Sequence, residues 1–440
     1  MEVDKLKTVS RRIQEAALAA VDPASAVKRA LSRTPGGLAV QGRGFDLRGR
    51  LVVIGVGKAS VAMTAAVVDL LGPVVSEGLV VAPHGYSTAG LPEERVSILH
   101  SDHPVPDEHG LRAAREVADL VAGLGERDLC LFLISGGASS LLPSPVPPLG
   151  LDDLVTTSSL LLKSGADIRE LNAVRKHLGL ISGGRLAQSC AGIIVTLAIS
   201  DVVGDDLSVV GSGPTVPDPS TFAQARRVLE RRGLADQVPR VVSALIDAGA
   251  AGRAPETPKI LPPRHAAFIV ASSALAVAAA SAEARACGYP PLVLTTSLAG
   301  EAREAGRFLA SIGLESRRSG SPARPPACLL AAGETTVTVR GRGVGGRNQE
   351  IALAAALVLQ GEPGILLTSF ATDGKEGNSE AAGAYASALT IGAESRAGLD
   401  AEDCLARSDA SAFLAAAGEL IVTGPTGTNV NDLTFILVDR

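Results

Sequence analysis

Along this chain of 440 residues, uninterrupted apolar runs repeatedly stop at a small-residue turn where a helix-length segment begins, as in VVIGVGKAS at 52–60 and LFLISGGASSLL at 131–142. Runs that are apolar at consecutive positions leave no face for water. They read as strands covered on both sides, which is the condition of parallel strands between helical layers. The same reading places strands at 51–56, 78–82, 96–100, 129–134, 192–199, 267–271, 292–295, 327–331, 335–339, 364–370 and 433–438. Helices are predicted at 60–71, 110–124, 272–288 and 347–359, with an amphipathic helix in the first 22 residues. The β–α alternation predicts the α/β class, as two doubly wound, Rossmann-like domains. Aromatics are only 2% and Trp is absent, so the cores must be built from Val, Leu, Ile and Ala.

Two stretches rich in Pro, Gly and Ala punctuate the pattern, 248–263 and 316–326. The first divides the chain into domains at 1–250 and 260–440, although terminal residues can cross back because domain segments need not be contiguous. The balance of 41 basic and 46 acidic residues offers no broad basic surface, and few aromatics are available for stacking bases, so a nucleic-acid partner is not expected. The longest uncharged run, 266–282, is short for a membrane span, and the charged N-terminus lacks the apolar core of a secretory signal. Five cysteines without a C-x-x-C pair fit a reducing compartment, and the expected location is the cytoplasm.

The chemistry-bearing residues cluster where predicted strands end. Gly57 and Lys58 open a helix after the first long strand. A lysine there opposes the helix dipole by roughly 0.3–1 kcal/mol unless an anion is bound. Val52 and Ala59 exclude a Walker A loop, and Val61 follows Ser60 where G-x-G-x-x-G would need its third glycine. Ser135, Gly136, Gly137 and Ser139 form a second turn whose amides and hydroxyls can approach an oxyanion, and no G-x-S-x-G elbow is present. Arg175 and Lys176 lie on a predicted helix, where they can reach an acidic ligand or form a solvated face; His177 reads as structural. Gly345, Gly346, Arg347 and Asn348 repeat the arrangement of Lys58, a cation at a glycine-rich helix entry. Asp201 and Asp373 follow strand ends, with Glu376 close behind, and carboxylates so placed suit Mg²⁺.

Taken together, GVGKAS, DHPVPDE (102–108), ISGGASSLL, LNAVRKHLGLISGGRLA, ISDVVGDDLSVVGSGPT, GETTVTVRGRGVGGRNQE and ATDG resemble the glycerate 2-kinase family, whose C-terminal part is the MOFRL domain. The resemblance covers nearly the whole chain and rests on the number and order of these segments. It implies phosphorylation of D-glycerate on its 2-hydroxyl from ATP with Mg²⁺, two α/β domains with the active site in the cleft between them, and catalytic roles for Lys58 and Arg347. The chain departs from the family pattern at TDGKEGNSEAAG, where Glu376 stands for Asp and Ser379-Glu380 for Thr-Asp, and at SGGASSLL, where the family has SGGGSALL.

Two other classes compete. An oxidoreductase of the hydroxypyruvate reductase type would need a complete nicotinamide fingerprint, which is not visible. A non-catalytic sugar-acid binding protein would need the anion turns without the metal carboxylates. A homodimer is left open, as are the pathway and the preference for the nucleotide base.

Overall fold

A computed structural model describes residues 2–92, 94–392 and 398–440. The chain divides into two compact units, one made of Pro23–Ser200 with Asp205–Val270 and the other of Met1–Asp22 with Asp201–Gly204 and Ala271–Arg440.

The first unit opens with a small antiparallel sheet of β1 (Leu31–Thr34), β2 (Gly37–Val40) and β3 (Arg43–Asp46). Its main sheet holds β4 (Leu51–Val56), β5 (Val75–Pro83), β6 (Val96–Ser101), β7 (Leu129–Ile134), β8 (Ile193–Ile199) and β9 (Ala266–Ala271), in the order β6-β5-β4-β7-β8-β9. Pairs β4/β5, β5/β6, β4/β7 and β7/β8 are parallel. Every residue of β4 and β7 is buried, which explains their unbroken apolar runs. Counted from β4, this is the 3-2-1-4-5-6 order of the Rossmann fold, and it reverses direction between β4 and β7. A helical core of Leu161, Leu171, Val174, Phe222 and Val242 lies in the same unit. The segment predicted as a linker is pinned to it. Glu256 accepts from Phe222 N (3.1 Å) and Thr257 Oγ1 donates to Asp218 (2.9 Å), so its Pro-rich composition does not mean freedom.

The second unit contains β10 (Pro291–Leu298), β11 (Ala327–Gly333), β12 (Ile365–Ala371), β13 (Gly383–Ser387), β14 (Leu420–Ile421) and β15 (Asp432–Val438). The sheet order is β10-β11-β15-β12-β13-β14, and the sheet is mixed. β10/β11 is parallel, but β15 runs antiparallel between β11 and β12. The α/β layering predicted here is present, with helices Ala302–Ser319 and Arg347–Leu359 in the crossovers; the antiparallel insertion is an addition that alternation alone does not announce. The run 335–339 is not a strand. Its backbone makes one isolated bridge, Thr336 to Glu301, and then leaves the sheet. Helix Glu2–Ala20 belongs to this unit, where Ser10 Oγ lies 2.8 Å from Thr368 Oγ1 and Arg12 pairs with Glu283 at 2.6 Å. Among the described residues, no helix is long and apolar enough to cross a membrane.

Candidate active site

In the first unit, the turns after β4 and β7 close onto each other. Gly57 has φ +120°, and a Cβ there would stand 2.4 Å from Ser135 Oγ, so a side chain would push the turns apart. Ser135 N donates to Val56 O (3.1 Å), Lys58 N to Gly136 O (3.1 Å), and Ala59 N to Ser135 Oγ (3.0 Å). Lys58 is half-buried at the entry of helix Ser60–Leu71, whose first turn has no side-chain cap. This is the switch point of the strand order, where open parallel sheets bind their ligands.

Gly137 adopts φ +90° before the short helix Ala138–Leu141, and a Cβ there would meet the His103 ring at 3.0 Å and Lys58 Cγ at 3.6 Å. Burial, with the Lys58 charge beside it, lowers His103 below the ordinary imidazole pKa. Ser139 Oγ is 2.9 Å from Ser212 Oγ, which donates to Asn172 Oδ1 (3.0 Å). Asn172 also lines a cleft of about 600 Å³ with Lys176, Asp206, Ser208 and Arg227. Ser212 and Asp205 hold positive φ, and Asp205 Oδ1 is buried without a hydrogen-bond partner among the described residues. Arg175 is placed elsewhere, donating to Ser158 in helix Leu151–Lys163 (3.0 Å), while its neighbour Lys176 is buried against Asp218 (3.1 Å). His177 is fully buried between Ala173 O and Glu256, as a structural histidine should be.

In the second unit, Arg347 does not stand free at its helix entry. It pairs with Glu334, just past β11, and its Nε lies 3.0 Å from Asp432 Oδ2 while NH2 donates to Asp432 Oδ1 (3.1 Å). These carboxylates offset the charge that was expected to wait for an anion. Gly346 caps the helix, and a Cβ on it would strike the Glu376 carboxyl at 2.7 Å; Gly345 N donates to Asn378 Oδ1 (2.9 Å). Glu376 departs from the metal role expected of it. Its oxygens accept from Asn348 N (2.6 Å), Asn348 Nδ2 (3.0 Å) and Gln349 N (2.8 Å), so it is engaged as the acceptor for the helix start. Burial pushes its pKa up to about 8 against the pull of those donors, with Asp432 nearby adding to the rise. Burial likewise raises Asp432 to about 6, opposed by Arg347.

Asn348 Oδ1 accepts from Ser369 Oγ (2.6 Å), which ties the helix start to β12. Asp373 is half-buried, with Oδ1 accepting from Lys375 N (3.2 Å). Asp201 lies two residues past the end of β8 and is half-buried. Among the described residues, Asp201, Asp373 and Glu376 do not form a metal-ligating group with donor atoms within 4.8 Å of one another.

Sequence reasoning missed Glu334, Asp432, Asn431 and His103. Asn431 has φ +70°, and its buried Nδ2 finds no hydrogen-bond partner among the described residues, a strained residue of the kind that gathers at functional sites. Asn431 and Asp432 lie in NVND at the start of the final strand, and Glu334 in GETT after β11.

Comparison with known proteins adds a second line of evidence. Residues 9–247 match a domain family described as of unknown function, DUF4147, and residues 327–432 match the MOFRL family. A glycerate 2-kinase of Pyrococcus horikoshii is 39% identical over 434 residues, 98% of this chain and 97% of that protein. A protein of Agrobacterium vitis named putative hydroxypyruvate reductase is 42% identical over 98% of this chain and 94% of its own length. The crystal structure of a glycerate kinase from Thermotoga maritima superposes with a TM-score of 0.88 at 39% identity, covering 99% of this chain and all of that one (100%).

Proposed function

The chain belongs to the glycerate 2-kinase family, and on that premise we propose that it transfers the γ-phosphoryl of ATP to the 2-hydroxyl of D-glycerate. The observation that carries this reading is Lys58 at the switch point of a 3-2-1-4-5-6 sheet, locked against Ser135-Gly136-Gly137. Phosphoryl transfer requires positioning and neutralisation of charge more than covalent chemistry. Lys58 supplies the charge, the two turns supply amides, and Ser139 supplies a hydroxyl. His103, kept neutral by burial and the neighbouring cation, is placed to orient a hydroxyl or a phosphate oxygen.

In the second unit, Arg347 is the proposed second cation, held in a fixed plane by Asp432 and Glu334. Its guanidinium keeps further N–H groups for a ligand, and the orphaned Nδ2 of Asn431 is another donor. Mg²⁺ suits the donor set at these strand ends, because it takes one or two protein carboxylates and completes its shell with water and phosphate. Asp373 fits this role, since its Oδ2 makes no hydrogen bond among the described residues; Asp201 is the other proposed ligand. The metal would neutralise phosphate charge. Five free cysteines fit a reducing compartment, and we place the reaction in the cytoplasm.

The name carried by the Agrobacterium vitis relative makes a reductase the reading to exclude. At the carboxyl end of β5, where a dinucleotide fold carries an acid for the ribose, this chain has Ala82-Pro83-His84. The deciding experiment offers the enzyme D-glycerate with ATP–Mg²⁺, and separately hydroxypyruvate with NADH or NADPH. ADP release dependent on D-glycerate is expected. Oxidation of the reduced nicotinamide with no ADP release would overturn the kinase reading.

A further inference from the structure

Four of the chain's six histidines, His84, His100, His103 and His109, fall within 26 residues of one another. Three of them gather beside the outer edge of the first unit's sheet. The cause is topological: β5 and β6 are parallel neighbours, with Ala82 opposite His100 and Pro83 opposite Ser101, so the loops that leave them start side by side. His84 N donates to Ser101 O (3.2 Å), which fixes the first residue after β5 against the end of β6. The His84 ring stacks on His100 at a centroid distance of 5.7 Å and meets His109 edge-on at 5.5 Å.

Asp107 completes the group. Its Oδ1 is occupied, accepting from Gly110 N (2.8 Å) and Ser101 Oγ (2.9 Å) at the start of helix Glu108–Ala122. Its Oδ2 is turned to His109 Nδ1, 2.7 Å away. One ligating atom each from His84, Asp107 and His109 lies within 4.8 Å of the others, and no other such group of three occurs among the described residues. Asp102 Oδ1 stands 3.9 Å from His84 Nε2, a further carboxylate at the rim. Both ligating imidazoles are exposed, so an ion can enter and waters can complete its shell.

We propose that His84, Asp107 and His109 bind a transition-metal dication of the Zn²⁺, Co²⁺ or Ni²⁺ type, at a site separate from the Mg²⁺ used with ATP. Two imidazoles and one carboxylate select for this class over Mg²⁺, which prefers oxygen ligands throughout. At bond lengths of about 2.0–2.1 Å, a tetrahedral pair of ligands stands about 3.3 Å apart, so the 2.7 Å pair of Asp107 and His109 must open slightly. The exposed His109 ring can make that adjustment. The metal replaces the proton that the imidazole shares with the carboxylate.

The site reaches the switch point through one short segment. Asp107 ends a loop in which Pro104 O accepts from Ser140 Oγ (2.8 Å) and the His103 ring lies where a Cβ on Gly137 would touch it at 3.0 Å. Metal held by His84 and Asp107 therefore ties residues 102–107 to the end of β5 and braces His103 beside Lys58.

The test uses an untagged full-length chain stripped with chelator and titrated with Co²⁺ in excess Mg²⁺, reading the visible bands of the bound ion. One equivalent is expected to bind. His84→Ala and His109→Ala are each expected to weaken binding on the order of tenfold or more. Both positions are on the surface, so thermal melts should not change. Absence of saturable Co²⁺ binding, or equal affinity in the wild type and both variants, overturns the proposal. Binding is measured without substrate, so the result is independent of whether the chain phosphorylates glycerate.

Discussion

Lys58 and Arg347 occupy matching positions in the chain but different electrostatic surroundings. Lys58 has no ion-pair partner among the described residues and sits beside His103, whereas Arg347 is held by a buried aspartate and a half-exposed glutamate. Their substitutions should therefore separate. Lys58→Met is expected to lower kcat on the order of 10²-fold or more with an unchanged melting temperature, because the missing charge matters most in the transition state. Arg347→Ala should lower kcat similarly and also destabilise the fold, on the order of 2 kcal/mol, because it strands Asp432 without its counter-charge. Arg347→Lys should recover part of the stability and less of the rate, since an ammonium cannot reproduce the planar fork. Steady-state kinetics beside calorimetric melts check all three. Near-normal kcat in folded Lys58→Met would remove that residue from the chemistry.

At the scale of elements, the helix Arg347–Leu359 is governed by Glu376, which takes two backbone N–H groups and one side-chain amide at its start. Folded pKa values of about 8 for Glu376 and about 6 for Asp432 exceed those of an unfolded chain, about 4.3 and 3.9. The folded state then binds more protons between these limits. The stability from these groups is complete in acid, and is lost as pH rises through about 6 and then about 8. His103, His177 and His265, all lowered by burial, oppose this below the free imidazole pKa of about 6.5, so the fall in melting temperature is expected between about pH 6.5 and pH 8.5. Glu376→Gln should flatten the upper part of that fall, while lowering stability overall, because an amide nitrogen then faces a donor. A wild-type profile that rises over this range would contradict it.

The same helix shows why some of the site was legible in the sequence and some was not. Gly57, Lys58, Ser135 and Gly137 follow strands of a parallel sheet, so the rule that ligands gather at carboxyl ends locates them from apolar runs alone. Asp432 begins its strand. It reaches the carboxyl ends of β11 and β12 only because β15 runs antiparallel between them, with Gly333 and Ala371 opposite Asp432. Strand direction is a tertiary property that local pattern does not encode. Glu376 reads from the sequence as a carboxylate near a strand end, but its burial beneath a helix start depends on the glycine at 346 and on a register invisible in the loop itself. Thr335–Val339 alternates as a strand would, yet lies past the sheet.

For the molecule as a whole, the chain's first 22 residues belong with its last 170, and they complete a core rather than decorate it. Leu6, Ile13, Ala17 and Val21 are fully buried, and Thr428 Oγ1 donates to Val21 O (2.8 Å). The sequence alone places the division at 250/260; the compact units part at 270/271, because the Pro-rich stretch and β9 stay with the first sheet, and this helix is a portion that crosses. A fragment of 271–440 should therefore melt lower than the same fragment fused to residues 1–22. Equal melting of the two would mean the helix is dispensable to that unit.

Regiochemistry bears most directly on the central claim, because only transfer to the 2-hydroxyl makes a substrate for enolase. The purified chain, supplied with D-glycerate and ATP–Mg²⁺, is coupled to enolase with and without phosphoglycerate mutase, and phosphoenolpyruvate is followed by absorbance. We predict immediate phosphoenolpyruvate formation without the mutase, at a rate equal to ADP release. A signal that requires the mutase would place the phosphoryl on the 3-hydroxyl, and the absence of ADP release would contradict the kinase assignment altogether.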